Sequence, residues 1–91
     1  MYIHLGQDVI VEESTVIGIF DMDNTTQSRI TVNFLNNAEK NGCIVNISDD
    51  IPKSFVVCEK RGRVTVYLSQ LNPATLLKRS DKDFLRMKNE E

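Results

Sequence analysis

The sequence predicts an α+β fold: a small antiparallel-rich or mixed β-sheet covered by two helices, in the order βββαβββα. Three observations carry this. The stretch Ser54–Ser69, SFVVCEKRGRVTVYLS, has the pattern of a β-hairpin. Short runs of high β-propensity fill the first twenty positions. Two segments carry helical signals, one by periodicity and one by its capping residues.

Tyr2–Leu5 alternates in character and predicts a first strand, closed by Gly6. Val9-Ile10-Val11 predicts a second, and Glu12-Glu13-Ser14 a turn. Thr15–Phe20, TVIGIF, predicts a third strand, with Gly18 marking a bulge or a close backbone approach. Asp21–Thr26 is a polar loop rich in N-cap residues. A helix is expected over Thr26–Asn41, with Ile30, Phe34, Leu35 and Ala38 on one face. Asn41-Gly42 stops it, because glycine suits the left-handed position after a helix end. Cys43–Ile47 resumes as a strand, so 15–47 has the length of a βαβ unit. A parallel pairing of its two strands would require a right-handed crossover.

Asp49-Asp50-Ile51-Pro52 is a turn, and Pro52 removes a ladder donor before the hairpin. Phe55–Cys58 is a continuous apolar run, as in a strand buried on both faces. Glu59-Lys60-Arg61-Gly62 breaks it, and Val64, Val66 and Leu68 then alternate with Arg63, Thr65, Tyr67 and Ser69. Asn72 is a predicted N-cap with Pro73 at the first helical position. Leu71 and Leu76 are spaced for a hydrophobic staple, and Lys78 and Arg79 suit the helix C-terminus. Residues 1–80 are read as one domain. The charged tail 81–91 either extends the helix or frays.

At 91 residues, with 41% hydrophobic and 26% charged residues, the composition is that of an ordinary globular domain. No apolar run approaches the ~20 residues of a membrane helix. The start, MYIHLGQD, lacks the basic-then-apolar layout of a signal peptide. A cytoplasmic protein without membrane contact is expected. Cys43 and Cys58 have neither CxxC nor zinc spacing and are expected to be buried, reduced thiols.

Val16–Thr25, VIGIFDMDNT, looks like the nucleophile motif of haloacid-dehalogenase-type phosphatases. There Asp21 would attack phosphorus, Asp23 would act as acid/base, and both would help hold Mg²⁺. Asn24 stands where glycine is usual, and the chain is too short for the distal motifs. A capped strand-to-helix loop is the better reading. His4 is the sole histidine and has no nucleophile at a recognisable spacing. No enzyme activity, catalytic residue, metal, cofactor or small-molecule substrate is expected.

Charge is unevenly placed. Residues 1–50 carry eight acids against Arg29 and Lys40, whereas 51–91 carry nine bases against five acids. Within 51–80 only Glu59 opposes Lys53, Lys60, Arg61, Arg63, Lys78 and Arg79. Several cations on a rigid frame are what phosphate binding requires, since affinity rises with each phosphate neutralised. These six are the candidate DNA-phosphate contacts. The alternative is a solvated charged rim.

The stretches MYIHLGQDVIV, VIGIFDMDNTT, IPKSFVV and VYLSQLNPATLLKR, collinear over residues 1–79, resemble the extracellular matrix regulator RemB family, a branch of the RemA-like bacterial proteins. The resemblance implies a bacterial cytoplasmic protein that regulates biofilm-matrix genes. It also implies DNA binding and assembly into rings, as in the RemA-like relatives. Their arginine-rich segment before the hairpin corresponds to Asp49-Asp50-Ile51-Pro52-Lys53, where only Lys53 is positive. The expected function is that of a DNA-binding regulator acting as a homo-oligomer through phosphate contacts. The alternative is a protein–protein interaction module that assembles without DNA.

Overall fold

The computed structural model describes residues 2–25 and 28–80. The expected tail 81–91 and the first two positions of the expected helix, Thr26 and Gln27, lie outside them. The strands are β1 (Tyr2–Gly6), β2 (Val9–Glu12), β3 (Val16–Asp21), β4 (Ile44–Asn46), β5 (Ser54–Lys60) and β6 (Arg63–Ser69). The helices are a 3₁₀ turn (Glu13–Thr15), a single turn α1 (Met22–Thr25), α2 (Arg29–Lys40) and α3 (Pro73–Ser80). The α+β class and the element order are as the sequence predicts.

The strands divide into two sheets. β1 and β2 form an antiparallel hairpin of their own, and the other four run in the order β3-β5-β6-β4. β3, β5 and β6 pair antiparallel, whereas β4 joins β6 in parallel. The two strands flanking α2 therefore do not pair. The β5–β6 hairpin is inserted between them, and β3 and β4 become the two edges.

The apolar run of β5 is buried on both faces, as expected. Phe55 and Val57 pack with Val66, Ala38 and half-buried Leu35 beneath α2. Val56 and Cys58 face the other way, into a second core with Ile3, Leu5, Val11, Ile47 and Leu76. The molecule is thus layered, with α2 on one side of the sheet and the β1–β2 hairpin with α3 on the other. Strand alternation distributes the two cores.

Helix α2 buries less than its periodicity suggests. Ala38 is buried and Leu35 half-buried, but Ile30 is 81% exposed and Phe34 39%. These two overhang the sheet edge at β3. There the register slips between Val16 and Gly18, the bulge that Gly18 announced. Gly18 also permits a close approach: a β-carbon on it would lie 2.6 Å from the Phe20 ring. That ring stacks on Phe55 at a centroid distance of 5.0 Å. Ile17, Phe20, Ile30 and Phe34 consequently border an apolar trough of about 300 Å³.

Asp21 and Asp23 serve the turn. The Asp23 backbone N–H donates to Asp21 Oδ1 at 2.8 Å, capping α1. Asn72 caps α3, with its Oδ1 accepting from the Thr75 N–H at 2.8 Å. Leu71 and Leu76 join the same core cluster, as a staple requires.

Two serines join the main sheet to its neighbours. Ser54 and Ser69 are paired across β5 and β6 and fully buried. Ser69 Oγ donates to the Leu5 carbonyl at 2.7 Å and accepts from the Leu71 N–H at 3.1 Å. Ser54 Oγ donates to the Leu71 carbonyl at 2.7 Å. Ser69→Ala leaves a buried carbonyl and a part-buried N–H without that partner and should cost about 2–3 kcal/mol. Asn72→Ala should cost about 1 kcal/mol, the usual worth of an N-cap. Denaturant unfolding of both variants checks the order, and a Ser69→Ala loss no larger than that of Asn72→Ala would refute it.

Candidate functional site

The β5–β6 turn sets up the site. Lys60 and Arg63 pair directly across the strands, which leaves Arg61-Gly62 as a two-residue loop. Both loop residues have positive φ, 55° and 79°. This is the hand of a type I′ turn, which matches the twist of the flanking strands and favours Asn-Gly. Gly62 meets the requirement at no cost. Arg61 does not, because a β-carbon crowds the backbone at positive φ.

A second cost falls on the same turn. Lys60 and Arg63 place like charges directly opposite, where cross-strand pairs interact most strongly. Arg61 adds a third charge beside them. Among the described residues no ion pair holds any of the three. Lys60 and Arg63 both belong to the face that carries the β1–β2 hairpin, since Arg63, Thr65 and Tyr67 alternate with the α2-facing Val64, Val66 and Leu68.

The hairpin covers only part of that face. Beyond it lies a cleft of about 650 Å³, lined by the three cations together with Tyr2, Ile10, Glu12, Thr15, Thr65 and Tyr67. The Thr15 hydroxyl donates to the Glu12 carbonyl at 2.6 Å and braces the wall. Behind it, burial pushes the Cys58 thiol up, with a hydrogen bond to Thr15 opposing the shift. Burial also raises the Tyr67 phenol, reinforced by the nearby Cys58. Both groups are thus neutral at physiological pH and do not offset the cations. Cys58 is buried and Cys43 half-buried, and both are free thiols.

The six candidate cations do not all line the cleft. Lys60, Arg61 and Arg63 come together at the cleft. Lys53 precedes the opposite end of β5, roughly 20 Å away at ~3.3 Å per strand residue. Its backbone clasps the molecule there, with its N–H donating to the Ser69 carbonyl and its carbonyl accepting from the Met22 N–H. Lys78 and Arg79 close α3, and the Arg79 guanidinium donates to the His4 carbonyl at 3.4 Å. Neither helix cation lines the cleft.

The extracellular matrix regulatory protein A-like (RemA-like) family model matches residues 2–79. The chain belongs to the RemA-like family. It is also 36% identical to extracellular matrix regulatory protein B of Bacillus subtilis (strain 168) over 80 residues, 88% of this chain and 90% of that protein. In this RemA-like chain no helix among the described residues is long and apolar enough to cross a membrane.

Sequence reasoning located the cations of the cleft but not its tyrosines. Tyr67 was legible, since period two puts it on the face of Arg63. Tyr2, Ile10 and Thr15 reach the cleft only through packing between the two sheets and carry no local signal. The turn itself yields a test. Arg61→Asn should raise stability by roughly 1 kcal/mol, because asparagine tolerates positive φ and the change removes a repelling charge. An unfolding midpoint that stays put or drops would show that Arg61 is unstrained.

Proposed function

We propose that this chain is a non-enzymatic regulator of extracellular-matrix genes that binds DNA through backbone phosphates as a homo-oligomer. The observation that carries the DNA reading is the turn Lys60–Arg63. It holds three cations that have no carboxylate partner among the described residues, on a rigid hairpin and at a local energetic cost that a bound phosphate offsets. The matrix-regulating role is supported by family membership and by the name of the Bacillus relative. The non-enzymatic reading is supported by the use of Asp21 as a cap and by the same family.

Self-association is supported by the apolar trough beside the unpaired edge of β3, where Ile17 is 61% and Ile30 81% exposed. A net charge of −2 makes a lone protomer a weak polyanion binder. Repetition of the positive turn around an assembly multiplies the contacts without changing that balance. The same trough favours the second reading, a module that joins protein partners without DNA.

Duplex DNA binding should fall steeply with salt. Three phosphate contacts per protomer give a slope of log K against log[salt] of about −2.7. Arg61→Glu combined with Arg63→Glu should weaken binding to all sequences alike and leave folding intact, because phosphate contacts carry no sequence information. A salt titration of both proteins decides. Equal slopes would move the contact surface elsewhere, and a wild type that binds no DNA at low salt would leave the interaction module. For assembly, light scattering should give a multiple of the 10.4 kDa chain mass, and Ile30→Asp should reduce it. A monomer mass for the wild type at high concentration in moderate salt would refute self-association.

A further inference from the structure

The three cations are more than an exposed charged turn. They form one wall of a cleft that also presents two aromatic rings. Tyr2 is 65% exposed and Ile10 58%, large apolar groups held at the opening by β1 and β2. Tyr67 is half-buried in the floor. The charge of the cleft is directional. Lys60, Arg61 and Arg63 come from the β5–β6 turn, and the single acid, Glu12, comes from β2.

We propose that this cleft binds one unstacked nucleotide, with its phosphate on the cationic turn and its base against Tyr2 and Tyr67. The inference rests on the nucleic-acid reading above and deepens it. Glu12 repels a phosphate from the β2 wall and so sets the direction of the ligand. The volume suits a nucleotide, falling within the usual range of about 300–1,000 Å³ for small-ligand sites. Stacking on an aromatic ring is open to any base, because every base has a π-face. Within a paired duplex the bases are stacked on each other and cannot enter. The cleft therefore selects single-stranded or locally opened DNA, or a free nucleotide, over intact duplex.

The test uses the full chain and three fluorescein-labelled probes: an oligothymidylate, a duplex of equal length, and thymidine monophosphate. Expected is an affinity for the single strand about tenfold above that for the duplex. Tyr2→Ala should lower single-strand affinity about tenfold and leave duplex affinity and its salt slope unchanged. Tyr2→Phe should restore the wild-type value, since the ring stacks without its hydroxyl. Mononucleotide binding as tight as the oligomer, and equally sensitive to Tyr2→Ala, would support the cleft and identify a soluble nucleotide as its source. Equal affinity for single strand and duplex, with no effect of Tyr2→Ala, would overturn this inference while leaving phosphate binding by the turn intact. Absence of binding to all three probes would overturn both readings.

Discussion

The fold depends on the buried pair Ser54 and Ser69. Each is a strand end, one opening β5 and the other closing β6. Their hydroxyls reach β1 through the Leu5 carbonyl and the approach to α3 through both backbone groups of Leu71. The four-stranded sheet, the separate hairpin and the last helix are thereby joined at one end of the molecule. A buried polar group without a partner costs more than a satisfied one contributes, so this geometry has few alternatives. Everything at the opposite end is placed by strand length measured from this knot.

Both faces of the sheet are covered unevenly. α2 lies over Phe55, Val57 and Val66, and its Ile30–Phe34 flank runs past the bulged edge strand. The β1–β2 hairpin lies over Val56 and Cys58 and stops short of the β5–β6 turn. One overhang leaves an apolar trough and the other a cationic cleft. The two features sit on opposite faces of one sheet.

The cationic turn departs from what hairpin stability alone selects. A type I′ loop favours asparagine before glycine, and the flanking pair favours opposite charges. Here arginine fills the first position, and lysine faces arginine across the strands. Such local conflicts in an otherwise consistent sequence gather at functional sites. The family to which the chain belongs is described as a regulatory one.

The sequence by itself determined the elements and their local chemistry. Alternation, capping and glycine placement are short-range effects, and they marked the strands, the Asn72 cap, the Gly18 bulge and the Asp21 turn correctly. They also located the positive turn, because its cations are neighbours in the chain. Only the tertiary structure decided how the elements pair. It separated β1–β2 from the main sheet and placed β5 and β6 between the strands flanking α2. It exposed Ile30 and Phe34, since helical periodicity specifies an apolar stripe but not the width of the sheet beneath it. It parted Lys53 from Lys60 by the length of a strand and drew Arg79 to the His4 carbonyl. It brought Tyr2, near the start of the chain, to the same cleft as Arg63. That proximity comes from burial of Ile3, Leu5 and Val11 against Val56 and Cys58, a long-range effect that no local pattern encodes.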